Sequence, residues 1–391
     1  MKKLFLFFQL SFVSFLFFSC ETEKASLEET NATFEQTSSI DKKKMAFDLI
    51  DLLNNIEFNS QVINTLQKNN SPGVKLSTLL DETLDVDTHP AYQSLKKAVT
   101  ALDAKSKNPK SLDVIEIPEL WLQQPIGKTA DYTNLLISYA PEGDEENWSS
   151  IEAYTLDKQV VLLDPKVIPD VPVIVLETKG FETLKIEVEY INQQLQFSGL
   201  QNDRFLSGSL DLTPTSKTYN GLETTKLDKI RLNNDEEPWI SGAAEVYAIT
   251  SGIKNAGNEP EVKVIPMYYL DKEGVDYYPN QILLFWEDYQ YQAANIQLFE
   301  KDDNTNYKDL ASTIINGVFQ IIGTIAQQPW VNALGQVANA ILQAMPDHWF
   351  VNDDDYLDSF YTIQKDKTYI DHYGAAGNAR VTLSPLFIPN N

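Results

Sequence analysis

Oxygen-bearing side chains that could hold a hard cation recur in three short runs of this 391-residue chain. Asp302, Asp303 and Asn304 lie in the run Glu300-Lys301-Asp302-Asp303-Asn304-Thr305-Asn306, and Asp353, Asp354 and Asp355 follow Asn352 in a second. Asp235 and Glu237 lie in a third, with Glu245 a few residues on. Carboxylate and amide oxygens drawn from several loops suit calcium first and magnesium second. Neither of the first two runs follows the helix–loop–helix calcium pattern, since Gly is missing at the sixth position and Glu at the twelfth. The ordinary alternative is a solvated acidic turn, a reading at least as apt for Glu245.

These runs need elements that bring them together. Asn295-Ile296-Gln297-Leu298-Phe299 alternates polar and apolar residues and reads as a half-buried strand leading into the first run. The next 37 residues that matter, Leu310 to Pro346, carry no charged side chain, although the whole chain is 22% charged. Leu310, Ile314, Val318, Ile321, Ile322 and Ile325 recur at intervals of three and four. Trp330, Leu334, Val337, Ile341 and Met345 do the same after a break at Gln327-Gln328-Pro329, and Pro329 suits the first turn of a second helix. Helices of ~20 and ~16 residues would run roughly 30 and 24 Å. So short a link makes them antiparallel neighbours, and Phe360–Ile363 beyond the second acidic run reads as another strand. The runs near 303 and 354 are therefore predicted to lie side by side. Asp302 and Asp303 precede a helix N-terminus, where the dipole favours negative charge, whereas Asp353, Asp354 and Asp355 follow a C-terminus, where it does not. Five adjacent carboxylates repel one another unless a cation lies between them.

Other chemistry lacks its residues. The three histidines, His89, His348 and His372, have no metal-ligand spacing and no His-Glu-x-x-His motif. His348, between Asp347 and Trp349, reads as a cap on the helix end. No Gly-x-Ser-x-Gly elbow, phosphate-cradling loop or dinucleotide fingerprint occurs. With 56 acidic residues a glycosidase pair cannot be singled out, so no catalytic residue is assigned.

The chain opens Met1-Lys2-Lys3, continues with the apolar run Leu4–Phe18 and reaches Ser19-Cys20-Glu21. A basic start, a short hydrophobic region and a small residue before cysteine make a secretory signal peptide. The segment resembles a bacterial lipoprotein signal, with Phe17-Phe18-Ser19-Cys20 as a loose lipobox and Phe17 where Leu is usual. Cys20, the one cysteine, would be diacylated and would anchor the mature chain in a lipid bilayer. Glu21 in place of Asp fits an outer-membrane lipoprotein, periplasmic or surface-facing. Without residues 1–19 the balance is 29 basic against 56 acidic residues, or −27, which opposes nucleic-acid binding and suits cationic partners.

Residues 20–40 read as a flexible tether. Residues 41–107 form a helical region: Met45, Leu49, Leu52 and Leu53 make one stripe, and Pro90 opens a later helix. From Leu112 the period shifts to two, giving a β-rich middle domain over 111–205 with a helix favoured at Leu184–Leu200. Residues 203–220, rich in Ser, Thr, Asp and Gly, read as a linker. The last domain, 224–391, shows short strands at the spacing of a β-sandwich, interrupted by the helical hairpin 307–345. The fold class is α+β, with a sandwich that is C2-like in pattern because calcium-dependent C2 modules carry acidic loops at one end.

Three segments carry a family likeness: Asn233–Tyr247, Leu298–Tyr307 and Gly374-Ala375-Ala376-Gly377-Asn378-Ala379. They resemble an uncharacterised family of exported bacterial proteins classed as a domain of unknown function. The likeness implies export and supplies no activity or site residues. The reading that follows is a lipid-anchored envelope protein for binding or adhesion, with a calcium-stabilised sandwich and an unidentified protein, glycan or small-molecule ligand. Trp239, Trp349 and Tyr356 are aromatics near the acidic runs that could touch it. The alternatives are a membrane-active protein that inserts the hairpin 310–346, against which Asn316, Gln320, Asn332, Gln336 and Asn339 argue, and a secreted hydrolase. A hairpin stripe buried on the sandwich favours the first reading, and an exposed one favours the second.

Overall fold

The computed structural model describes residues 40–68, 73–82, 86–108, 114–127, 129–143, 147–202, 221–234, 238–241, 245–254, 259–270, 272–301, 306–325, 327–345 and 356–389. It is an α+β structure with helices first and most of the sheet later. The first half holds α1 (Lys42–Leu53), α2 (Ile56–Lys68), β1 (Val74–Lys75), α3 (Leu76–Asp81) and α4 (Pro90–Ser106). Five strands follow: β2 (Glu119–Gln123), β3 (Leu136–Ser138), β4 (Ile151–Tyr154), β5 (Val160–Leu163) and β6 (Val173–Glu177). Asp41 caps α1 by accepting from the Lys44 amide at 2.8 Å. Pro90 stands in the first turn of α4, where its missing donor costs nothing.

The strands form one mixed sheet in the order β1-β2-β6-β3-β4-β5, antiparallel except for β3 against β6. Its two faces are separated by the period of two. Ile174 and Leu176 of β6 pack with Leu49, Leu53, Leu80 and Leu95 from the helices. Val173 and Val175 pack on the opposite face, with Trp239 and Ile240. The N-terminal helices therefore share one core with the strands that follow them.

The second half begins with α5 (Phe181–Phe197), the helix expected near 184–200, then β7 (Gly221–Leu232), β8 (Val246–Ile253), β9 (Pro260–Pro266) and β10 (Gln281–Phe285). After β11 (Ala293–Glu300) come the hairpin helices α6 (Tyr307–Ile325) and α7 (Trp330–Ala344), and then β12 (Tyr356–Gln364), β13 (Tyr369–Tyr373) and β14 (Ala379–Pro389). Two antiparallel four-stranded sheets, β10-β7-β14-β13 and β12-β11-β8-β9, share one core as a sandwich. Val246, Ala248, Ile296 and Leu298 face Leu227, Ile230, Val381 and Leu383 across it. The odd-numbered residues Tyr247, Ile249 and Phe299 face the other way, onto Leu184, Val188, Ile314, Val318, Leu334, Val337 and Ile341 of α5, α6 and α7. Every residue of β8 and β11 is buried.

Polar side chains on this covered sheet are hydrogen-bonded. Asn295 and Gln297 donate to the Leu334 and Ala338 carbonyls of α7 at 3.0 and 3.2 Å. The Asn295 side-chain oxygen Oδ1 accepts the Thr362 amide at 3.0 Å, where β12 bulges between Phe360 and Ile363. Asn192 of α5 clasps edge strand β9, donating to Val264 O at 2.7 Å and accepting from Val264 N at 3.0 Å. At the far end Asp358, fully buried on β12, accepts the amides of Ser359, Ala376 and Ala379 at 2.7, 2.8 and 2.7 Å. Its carboxylate occupies the space beside Gly374, where an added Cβ would lie 2.2 Å away. Asn378 and Asn233 then tie this turn to the end of β7.

Asp358→Asn, which can accept at only one of its two side-chain positions, should cost about 2 kcal/mol or more of folding stability. Gly374→Ala should cost a comparable amount through overlap with the same carboxylate. Urea unfolding checks both, and a Gly374→Ala protein as stable as the parent would refute the contact.

Candidate functional site

The antiparallel order β12-β11-β8 brings three chain segments to one corner. The end of β11 meets the start of β8 at Glu300 opposite Val246, and the start of β12 at Phe299 opposite Tyr356. Just past these pairs, the Lys301 amide donates to the Glu245 carbonyl at 3.2 Å. Beneath the corner, Phe299 stacks on Tyr247 at 5.8 Å and takes the edge of Tyr356 at 5.8 Å. Asn306 starts α6 by accepting the Lys308 amide at 3.0 Å. The described residues flanking the first two acidic runs therefore converge, Lys301 beside the first and Tyr356 beside the second, with Glu245 at the same corner. The third run is flanked by Asn234, which bonds Asn378, and by Pro238. Asp302, Asp303, Asn304, Asp353, Asp354, Asp355, Asp235 and Glu237 themselves lie outside the described residues, as do Cys20, His348 and Trp349. Among the described residues, no three His, Cys, Asp or Glu side chains form a group that could hold a metal ion.

Two residues singled out in sequence have structural surroundings. Trp239 is buried on the six-stranded sheet and donates its indole N–H to the Asp164 carbonyl at 2.9 Å. Glu245 is buried and turned inward, toward the first turn of α5.

A layer of buried charge lies behind the corner, and sequence spacing gave no sign of it. Lys301 reaches into the interior, donates to the Lys179 carbonyl at 3.1 Å and pairs with Glu187 of α5 at 3.5 Å. Glu177 accepts the amides of Thr178 and Lys179 at 2.8 and 3.0 Å. Glu119 of β2, only 1% exposed, accepts the Glu182 amide in the first turn of α5 at 3.0 Å. Its other oxygen makes no hydrogen bond among the described residues. Lys75 and Glu182 pair at 3.4 Å on the same side. Gly180 keeps room for these groups, because an added Cβ would lie 3.1 Å from the Glu119 carboxylate and 2.8 Å from Glu177.

Burial pushes the Glu119 carboxyl up to about 8, with the charges of Glu182 and Glu177 adding to the shift and the Glu182 amide and Lys75 opposing it. Burial raises Glu261 to about 8 as well, against the amide of Asn202. A cavity of ≈ 10 Å³ between α5, β8 and α6, walled by Leu184, Val188, Tyr247, Glu187 and Lys301, has room for one water. Small-molecule sites are larger, on the order of several hundred Å³.

The fold and this corner define a two-layer β-sandwich backed by helices, joined through buried charge to a helix-covered mixed sheet. The chain belongs to a family described as proteins of unknown function (DUF3103), whose pattern matches residues 94–391, from within α4 to the C-terminus. Neither a curated protein nor a solved structure matches it.

The folded chain holds a proton on Glu119 up to about pH 8, whereas an unfolded glutamate loses it near pH ~4.3. Between these values the folded state binds the extra proton, so this group's contribution to stability falls as pH rises through the window. Glu119→Gln should remove its share of that slope. The difference in urea midpoint between variant and parent should grow from pH 5 to pH 8.5 in the variant's favour. Parallel pH profiles would place the proton elsewhere.

Proposed function

We propose that the protein is a lipid-anchored binding or adhesion protein of the cell envelope, with a C-terminal sandwich stabilised by calcium. The supporting observation is the pairing of Phe299 with Tyr356, which makes neighbours of the strand ends that lead into the first acidic run and out of the second. Asp302, Asp303, Asn304, Asp353, Asp354, Asp355, Asp235 and Glu237 would supply the ligands, and magnesium is the second ion. Export and a diacylated Cys20 follow from the N-terminal pattern of Met1 to Glu21. The ligand would be a protein, glycan or small molecule from the surroundings of the envelope.

The apolar stripes of the hairpin favour this reading over membrane insertion. Leu310, Ile314, Val318, Leu334, Val337 and Ile341 are buried on the central sheet and α5. Among the described residues, no helix is long and apolar enough to cross a membrane. A hydrolase would need a catalytic cleft, and the buried carboxyl of Glu119 faces an interior joint instead.

Calcium at about 100 times its dissociation constant should stabilise the fold by about 2.7 kcal/mol, raising the melting midpoint by roughly 5–10 °C. Equal ionic strength of sodium chloride should not reproduce the shift. Identical melts with calcium and with chelator would end the metal reading. Asp302→Asn with Asp303→Asn should abolish the shift, and its full retention would move the ion elsewhere. Independently, Cys20→Ser should abolish incorporation of labelled fatty acid in a bacterial host and release the chain from membranes. Continued labelling would reject Cys20 as the anchor.

A further inference from the structure

Helix α5 is fastened at both ends by a buried glutamate, and the two glutamates belong to different halves of the chain. At its start, Glu119 of β2 accepts the Glu182 amide at 3.0 Å. Beyond its end, where Gly199 turns the chain at φ 78°, Glu261 of β9 accepts the Asn202 amide at 2.9 Å. The Leu200 carbonyl accepts the Val262 amide at 2.8 Å, and the Asn202 side chain donates to Asp288 at 3.3 Å. Glu119 and Glu261 are 1% and 2% exposed. Each spends one oxygen on its amide, and the second, Oε1 of Glu119 and Oε2 of Glu261, makes no hydrogen bond among the described residues. A carboxylate sealed from water with one oxygen unmet is costly, and such a group holds a proton instead. Its charged neighbours do not reverse this at either end. Glu119 faces Glu177, Glu182 and, across Gly180, Glu245, with Lys75 opposing them. Glu261 faces Asp288 and Tyr289, with Lys254 at 3.9 Å and Lys263 opposing them. Burial outweighs the lysines and pushes both carboxyls up to about 8.

We propose that α5 is a proton-held strap between the two halves: Glu119 and Glu261 fasten its ends while they carry their protons, and losing both loosens the ends as one. The ends act together because Leu184, Val188, Ile191 and Leu195 between them form one buried face of a single helix on the sandwich. With the ends loose, water reaches both carboxyls, and each would ionise near pH ~4.3. Between that value and about 8 the fastened state holds two more protons than the loosened one. Fastening is strongest below this window and weakens as pH rises through it, by about a hundredfold per pH unit for two protons and about tenfold for one. Above the window it falls no further.

Hydrogen exchange read by mass spectrometry tests this on the full chain carrying Cys20→Ser, from pH 5 to pH 8.5. Rates are scaled for the pH dependence of exchange in unstructured peptides. Segments 178–184 and 198–202, at the two ends of α5, should lose protection by about a hundredfold per pH unit. At every pH they should exchange ahead of the buried strands β8 and β11. Glutamine keeps an oxygen that accepts the amide and has no proton to lose. Glu119→Gln and Glu261→Gln should therefore each reduce the slope to about tenfold at both ends, and the double variant should flatten it. Protection of β8 and β11 reports that each variant is folded. A variant that changes its own end alone would leave two separate clamps and overturn the strap. So would ends that exchange only together with β8 and β11, or a slope that survives in the double variant.

Discussion

The structure depends on a central sheet that is apolar on both faces. A strand buried on one side leaves alternate residues for water, but β8 and β11 have none to spare. At roughly 25 cal/mol per Å² of apolar surface removed from water, covering both faces outweighs any single polar contact in the second half of the chain. One face is closed by the sheet built on β7 and β14, and the other by α5, α6 and α7. Burial then dictates the polar chemistry around it. Asn295, Gln297 and Asn192 must find partners inside, and each binds a backbone group of the layer above or the strand beside it.

The joint between the halves follows a different logic. Helix α5 runs on from β6 in the first half and lays its apolar stripe on the second. Its first turn is held by Glu119 from the mixed sheet, which satisfies an amide that the helix cannot. A carboxylate at a helix N-terminus is favoured by the dipole, yet here burial and neighbouring acids oppose its charge. Burial wins, so the joint contains a carboxyl that keeps its proton at neutral pH. Lys301 and Glu187 carry the same joint toward the corner at the end of β11.

Elements with one period and one dominant face were legible in sequence. The uncharged stretch from Leu310 to Pro346 showed two helices because its large apolar residues recur at helical spacing and its break contains Pro329. Helix α5 competed with a strand reading, since Leu184, Ile186, Val188 and Tyr190 alternate as well. Tertiary burial of Leu184, Val188, Ile191 and Leu195 decided it. Strand β13 was not legible, because four of its five residues are exposed and no alternation marks it. Glu119 could not be picked from 56 acids, since its burial arises only when β2 and α5 meet. Asp358 was hidden for the same reason, although the Gly374–Ala379 segment it organises stood out as a signature. The meeting of the end of β11 with the start of β12, Phe299 opposite Tyr356, was legible from the hairpin, but Glu245 needed the pairing of β8 with β11, which periodicity does not encode.

The placement of the hairpin bears on what it can do. Neighbouring antiparallel strands such as β11 and β12 can be joined by a turn of a few residues. The chain spends far more between them, and the helices it inserts cover the second face of the sheet that those strands belong to. The stretch carries its apolar stripes because both helices have one face on Tyr247, Ile249 and Phe299 and pack against each other and α5. Moving it into a bilayer would leave those residues, with Val262 and Val264, facing water. It would also strip Asn295 and Gln297 of the carbonyls they bind. The gain from burying Phe319, Trp330 and Val331, which are the exposed apolar residues of the hairpin, would have to exceed both losses. The apolar stripes of the hairpin are therefore better explained by the sheet beneath them than by a membrane beside them.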